Sequence, residues 1–366
     1  MDRREFLFLV GAGLLSLSGA TPAMASSRRR YGTYSVILLG DTHYDGASPD
    51  VYHSHYIAPS EKTNASRQAE FARNGDMWRE RCPRLVARAA RLAGPRTKMV
   101  IQMGDLIQGD CDDFATHTQM LDDAFCLFKN AFPGLPFVTV TGNHDIRGRD
   151  AEKAYRAYMP ARMSAELGID IRKTTFSFRI GPDVFIAIDF NHPDDEEILR
   201  LLAESTDARY TFVVSHSGLF PLDSGSPRWF FHGGKSDEET ARRRQFRALF
   251  AQRNVICLCG HTHTTDFHDW QGDGGRITQS TINSVWRNDA TGQYNVDTQH
   301  PNHYGTIAAE SRKEKALFDE YRSGLLEWTH SRAAGSYRLN VSDRAVTLDF
   351  YAADSESRTQ RFYLRH

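Results

Sequence analysis

Five short stretches of this chain carry side chains of the kind that hold divalent metals. They are Gly40-Asp41-Thr42-His43, Gly104-Asp105, Gly142-Asn143-His144-Asp145, Ser215-His216 and Gly260-His261-Thr262-His263. Carboxylate, imidazole and amide carbonyl are oxygen and nitrogen donors suited to ions of the Mn, Fe and Zn kind. Alternate residues of extended backbone point the same way, so Asp41 with His43, and His261 with His263, can each deliver two side chains to one locus. Glycines ahead of Asp41, Asp105, Asn143 and His261 allow sharp turns and close backbone approach. One D-x-H or H-x-H is a weak signal. Five such signals in a fixed order, each behind an apolar run, argue for a metal site rather than for scattered polar residues.

The runs that must position these residues read as strands: 34–40, 98–104, 136–142, 183–189, 210–216 and 254–260. Each is short, rich in β-branched or aromatic residues and nearly continuous, as expected of strands buried on both faces. Helical stretches are expected at about 65–93, 116–131, 195–204 and 238–252, so strands and helices alternate and an α/β layered fold follows. In open α/β sheets, ligands gather beyond the carboxyl ends of the strands, which is where these donors fall. The tail from Gly335 reads as antiparallel strands with a tight turn at Ser342-Asp343, completing a second sheet or extending the first. Before it, Leu317, Phe318, Tyr321 and Leu325 have a helical period. A single domain over 31–366 is expected, with loop insertions near 44–64 and 282–330 of the kind that form lids or binding loops.

Residues 1–25 read as a signal peptide rather than as part of the fold. They have a charged start, a glycine-containing apolar stretch and an Ala23-Met24-Ala25 ending. Arg3-Arg4 followed by Glu5-Phe6-Leu7 resembles a twin-arginine signal, although Asp2 and Phe8 depart from the usual pattern. The expectation is a periplasmic or secreted protein, exported by the twin-arginine machinery and without a membrane anchor once the signal is removed. The five cysteines lack a metal-type C-x-x-C spacing and read as buried thiols. A formal net charge of −1 offers no broad basic field, which disfavours an extended nucleic acid as partner.

The order D-x-H, G-D, G-N-H-D, H and G-H-T-H resembles the calcineurin-like metallophosphoesterase superfamily, over about residues 34–270 with the C-terminal strands included. The resemblance implies a four-layer α/β/β/α sandwich with a dinuclear metal centre at the strand ends. It implies one ion held by Asp41, His43, Asp105 and His263, and a second held by Asp105, Asn143, His216 and His261, with Asp105 as the bridge. It implies that His144 stays off the metals, beside the leaving-group oxygen. Such a site would hydrolyse phosphoesters with a metal-bridging hydroxide, and His144 would protonate the departing alkoxide. Asp145 reads either as the residue that orients His144 or as a carboxylate capping the turn.

Two subgroups of the superfamily are disfavoured. Protein Ser/Thr phosphatases carry G-D-x-x-D-R-G and G-N-H-E, where this chain has "GDLIQGD" and "GNHD". Purple acid phosphatases place a tyrosine three residues after the bridging Asp, where this chain has Gln108. A phosphodiesterase or phosphomonoesterase acting on a small phosphoester remains. The alternatives are a nuclease on short oligonucleotides and a binding module that has lost catalysis, which would be expected to lack some donors. Arg147, Arg149 and Trp286 are candidate substrate contacts, Trp286 by stacking with a tyrosine such as Tyr44; His53, His55, Asn191, His192 and Arg287 are further pocket candidates.

Overall fold

The computed structural model describes residues 32–46, 49–57, 60–221, 236–284 and 315–366. The signal segment, Trp286 and Arg287 lie outside the described residues. Every apolar run expected as a strand is one: β1 Tyr34–Leu39, β2 Thr97–Gln102, β3 Phe137–Thr139, β5 Asp183–Ile188, β6 Thr211–Ser215 and β7 Ile256–Cys259. The remaining strands are β4 Phe176–Ile180, β8 Thr265–Gly272, β9 Gly275–Thr281, β10 Leu325–Ser331, β11 Gly335–Val341, β12 Val346–Ala352 and β13 Gln360–Arg365. They form two sheets, ordered β13-β12-β11-β1-β2-β3 and β10-β8-β9-β7-β6-β5-β4. β1, β2 and β3 run parallel, as do β5, β6, β7 and β9, so the carboxyl ends in each set share one edge.

The tail extends the first sheet. β11 pairs antiparallel with β1, with Val36 opposite Leu339, and β12 and β13 follow outward. β10 instead closes the second sheet against β8.

Burial on both faces makes four layers. One apolar cluster joins Leu38 and Ile101 of the first sheet with Phe185, Phe212, Leu258 and Phe267 of the second. Phe178, Phe185 and Phe212 stack in a row there, with ring centroids 5.2 and 4.4 Å apart. The same cluster takes in Leu85, Phe128 and Met159, from helices α3 (Cys82–Ala90), α4 (Phe114–Ala131) and α5 (Ala151–Leu167). A second cluster packs Ile186, Val213 and Cys257 under Leu201, Phe250 and Tyr321 of α6 (Asp195–Glu204), α7 (Asp237–Gln252) and α8 (Lys315–Arg322). This is the α/β/β/α sandwich expected from the resemblance. No described helix is long and apolar enough to cross a membrane.

The structure corrects four local readings. The helix expected over 65–93 is two, α2 (Glu61–Glu80) and α3, broken at Arg81. Pro83 sits in the first turn of α3, where a missing N–H costs nothing, and cannot sit in the interior of a longer helix. Helix α5, absent from the sequence expectation, carries Pro160 inside it and ends on Gly168 at φ 65°, a left-handed cap. The stretch 44–64, expected as an open loop, carries the short helix α1 (Pro49–Tyr52), and in it Tyr44, Tyr52 and His53 are buried whereas Val51, His55 and Ile57 are exposed. Tyr52 donates 2.6 Å to Asp123 on α4, and His53 stacks on Phe71 of α2 with centroids 3.7 Å apart. Finally, Cys126 is exposed, whereas the other cysteines are buried, and all five are free thiols.

The two sheets are also tied by a buried carboxylate. Asp183, at the start of β5, accepts from Tyr34 Oη at 2.8 Å, from Arg209 Nε at 2.9 Å and Nη2 at 2.6 Å, and from the Tyr210 N–H at 3.2 Å. Arg209 reaches on to Asp343 in the β11–β12 turn. Removing one partner of a buried pair strands the others without solvent. Asp183→Ala is therefore expected to lower the unfolding free energy by about 3–5 kcal/mol in urea denaturation. A loss below about 1 kcal/mol would place this latch among ordinary surface ion pairs.

Candidate metal centre

All five donor stretches meet at one edge of the two sheets. His263 Nε2 lies 2.9 Å from Asp41 Oδ2 and 3.1 Å from His43 Nε2. His216 Nε2 lies 3.3 Å from Asp105 Oδ2, 3.3 Å from Asn143 Oδ1 and 3.1 Å from His261 Nδ1. Asp105 Oδ2 is 3.8 Å from His43 Nε2 and so stands between the two groups. Three sets of donor atoms lie close enough to share an ion: Asp41, His43 and His263; His43, Asp105 and His144; Asp105, His216 and His261.

Backbone bonds set these side chains. The Asp41 carboxylate accepts the N–H of His261 at 2.9 and 3.1 Å, which locks the first stretch to the last. Asp105 Oδ1 accepts the N–H of His144 at 2.7 Å, locking the second to the third. The N–H groups of Thr42 and His43 both donate to the Asp105 carbonyl, at 3.0 and 2.9 Å. His43, Asp105, His261 and His263 all adopt left-handed backbone, with φ of 43°, 52°, 74° and 54°. Such conformations cost about 1–3 kcal/mol each at non-glycine residues and persist where the surrounding structure over-determines them, as the backbone bonds above do here.

The donor chemistry fits divalent metals. His216 Nδ1 faces the Met103 carbonyl at 2.8 Å. A carbonyl only accepts, so Nδ1 carries the proton and the Nε2 lone pair points at Asp105, Asn143 and His261. That nitrogen, two oxygens and a further imidazole converge with no donor hydrogen supplied by a neutral His216. A cation satisfies such an arrangement. Burial works to raise the Asp105 carboxyl, but His216 and His144 hold it well below the usual carboxylate range. Burial opposes the charge on His216, but Asp105 and Asp41 outweigh it and raise this imidazole, so without a metal Nε2 carries a proton that a bound cation would replace. Asp41 is held low by His216 and His263 against its own burial. The carboxylates are thus in the ionised form that metal binding requires.

Gly260 shows how closely the loops approach. A β-carbon there would sit 2.3 Å from Asp41 Oδ1. Gly260→Ala is expected to displace Asp41 and weaken metal binding about 10–100-fold, the range typical when support for a ligand is disturbed. Metal titration should show this, with Gly94→Ala, which has open space around it, as the unaffected control.

His144 is buried beside this cluster. Its ring meets His43 edge-on with centroids 4.4 Å apart, and its Nδ1 lies 2.9 Å from the Gln108 carbonyl. Asp145 caps the turn. Its carboxylate accepts from the N–H groups of Gly142 at 2.8 Å and Ile107 at 3.1 Å, joining the second and third loops, and the His144 ring turns to Gln108 instead. Arg147 lies against His144, whereas Arg149 is exposed. Tyr44 is not a stacking surface: it is buried, with its ring 5.1 Å from Trp78. His53 is spent on Asp45 and the Asp110 carbonyl. His192 pairs with Glu152 at the surface, and Asn191 donates to the Gly142 carbonyl at 3.3 Å.

One supporting residue has no counterpart in the sequence reading. Gln102, at the end of β2, donates to the carbonyls of Gly40 and Gly104 and accepts from Gly104 N–H and Thr139 Oγ1. It holds the ends of β1, β2 and β3 in register. The available signal is a glutamine inside the otherwise apolar run "MVIQM".

The sequence profile of calcineurin-like phosphoesterases matches residues 34–265, and the chain belongs to that family of metal-dependent phosphoric ester hydrolases, whose members use two metal ions. A search among curated proteins finds no match. Among solved structures, PhoD is similar at 11% identity and a TM-score of 0.48, covering 91% of this chain and 69% of that one. GAP50, the anchor in the inner membrane complex of Plasmodium, is similar at 11% identity and a TM-score of 0.48, covering 92% and 89%. The 5'-nucleotidase precursor from Thermus thermophilus is similar at 12% identity and a TM-score of 0.36, covering 69% and 49%.

Proposed function

We propose that this protein is an exported phosphodiesterase or phosphomonoesterase acting on a small phosphoester with two divalent ions of the Mn, Fe or Zn kind. Asp41, His43, Asp105 and His263 would hold one ion; Asp105, Asn143, His216 and His261 would hold the other. The observation that carries the reading is the place of Asp105, whose Oδ2 stands 3.8 Å from His43 Nε2 and 3.3 Å from His216 Nε2, between the two donor groups. Bound divalent ions supply charge neutralisation at phosphoryl oxygens and lower the pKa of water toward neutrality.

The chain itself supplies the rest. The backbone bonds from His261 to Asp41 and from His144 to Asp105 fix the carboxylates before substrate arrives. His144 stands next to the donors, which supports reading it as the residue that meets the leaving-group oxygen. Asp145 supports that role by holding the His144 loop onto the Asp105 loop. Arg147 and Arg149 follow on the same loop as candidate phosphate contacts, and Trp286 as a stacking contact. A near-neutral charge supports a small substrate over a long polyanion, and the complete donor set supports an enzyme over a binding module. Arg3-Arg4 and the Ala23-Met24-Ala25 ending support twin-arginine export to the periplasm or beyond.

The test is turnover by protein loaded with Mn, Fe or Zn. The panel is bis(p-nitrophenyl) phosphate, p-nitrophenyl phosphate, cyclic nucleotides and phospholipid head-group esters. Hydrolysis of at least one class above the metal-stripped protein is expected. No metal-dependent turnover across the whole panel would overturn the reading.

A further inference from the structure

The ends of β1, β2, β3, β6 and β7 deliver metal donors; the end of β5 delivers Asp189-Phe190-Asn191-His192 and none. Ile188 pairs with Ser215 in parallel register, so this segment runs beside His216. The Phe190 ring is buried and packs on two imidazoles at once, with centroids 5.3 Å from His216 and 5.9 Å from His261. Asp189, also buried, turns the chain around that ring. Its carboxylate accepts the N–H groups of Asn191 at 3.0 Å and His192 at 3.3 Å and the Thr174 hydroxyl at 2.7 Å, and its own N–H donates 3.1 Å to Thr175 Oγ1. Asn191 Nδ2 then donates 3.3 Å to the Gly142 carbonyl, next to Asn143. One short loop thus braces the carriers of Asn143, His216 and His261. Among the described residues, it makes no bond or ring contact with Asp41, His43 or His263.

We propose that Phe190 is a positioning residue for His261, held in place by Asp189 and Asn191, and that it sets the affinity of one of the two metal ions. The inference rests on the reading of Asp105, Asn143, His216 and His261 as the donors of that ion. The two imidazoles of this group are supported differently. His216 has the support usual for a ligating histidine, since its Nδ1–H donates 2.8 Å to the Met103 carbonyl. His261 has none of that kind: its Nδ1 faces His216 Nε2 at 3.1 Å, and among the described residues no carbonyl or carboxylate takes a hydrogen bond from its ring. What holds the His261 ring is packing, against His216 with centroids 4.8 Å apart and against Phe190. A ligand ring fixed before the ion arrives spares the rotamer entropy that a loose ring gives up on binding. The aromatic wall also keeps water from that side of the two imidazoles, which strengthens their hold on a cation. An alanine at 190 removes the wall and frees the His261 ring, while the Met103 bond still fixes His216.

The test titrates the metal-stripped full chain with Mn2+ and counts bound ions at each step. The variants are Phe190→Ala, Phe190→Leu, His261→Ala, the double variant Phe190→Ala/His261→Ala, and Leu201→Ala. Phe190→Ala is expected to weaken one of the two Mn2+ sites about 10–100-fold and to leave the other as it was. Phe190→Leu keeps most of the bulk and should recover most of that affinity. The double variant should hold this ion no more weakly than His261→Ala alone, because Phe190 acts through His261. Leu201→Ala opens a cavity in the same apolar cluster, from α6, and should cost stability without selecting between the ions. If Phe190→Ala does not fold, Asn191→Ala is expected to weaken the same site to a smaller degree. Equal weakening of both sites, the same selective loss in Leu201→Ala, or a further loss in the double variant would overturn the positioning role and leave the two-ion reading standing. Uptake of a single Mn2+ by the unaltered chain, or unweakened binding of two by His261→Ala, would instead overturn the donor assignment on which the inference rests.

Discussion

Asp105→Asn is expected to leave purified protein with less than one metal ion per chain, and to cut turnover on every ester by more than the ~10–100-fold typical of an outer supporting residue. The reason is the number of acceptors that position must supply. Oδ1 already accepts the His144 N–H at 2.7 Å. Oδ2 stands 3.8 Å from His43 Nε2 and 3.3 Å from His216 Nε2, facing both donor groups. An asparagine has one acceptor oxygen and one NH₂ donor. If the oxygen keeps the bond to His144, the NH₂ group faces the two imidazoles and repels a cation there. If it does not, the loop that carries His144 loses its anchor. Loss of His261 alone touches one donor set and should spare part of the metal content. Elemental analysis alongside turnover distinguishes these outcomes, and two full equivalents of metal in Asp105→Asn would contradict the bridge.

The parts of this site that were legible in the sequence are those encoded locally. A continuous β-branched run such as "VFIAI" is buried on both faces wherever it lies, and its end must be a loop; a donor placed there faces the sheet edge. What could not be read depends on contacts between distant residues. Arg67 and Asp110 are 43 positions apart, and each alone looks like a solvated charge. Gln102 looks like a stray polar residue until the three loops it ties are in place. Tyr44 misleads for the converse reason. A tyrosine in polar sequence suggests a surface, yet its ring fills the space beside Trp78, whose indole N–H anchors the His43 carbonyl at 2.9 Å. Helix α5 is hidden because Pro160 interrupts a weakly patterned stretch, and tertiary packing of Tyr155, Met159 and Met163 outweighs that local signal. The left-handed backbone of His43, Asp105, His261 and His263 has only a weak sequence sign: aspartate and histidine are enriched there among non-glycine residues, yet most of them lie elsewhere.

His144→Ala is expected to slow hydrolysis of alkyl phosphate esters by about 10²–10⁴-fold, the range for removal of a positioned proton donor, while leaving p-nitrophenyl esters far less affected. A p-nitrophenolate leaves without a proton; an alkoxide does not. The side chain is separable from the scaffold, because what ties this residue to Asp105 is its backbone N–H, which alanine retains. The turn itself is held by Asp145 through Gly142 and Ile107, again without the His144 ring. The ring does stand close to His43 and Asp105, within the range of a shared ion. Its Nδ1 faces the Gln108 carbonyl and its Nε2 accepts from Arg147, which keeps both off an ion here, and a proton-donor role requires the guanidinium to leave Nε2 when substrate binds. Metal content therefore decides between the roles: two ions retained with a leaving-group-dependent loss fits a proton donor, whereas one ion lost with equal slowing on both esters makes His144 a ligand.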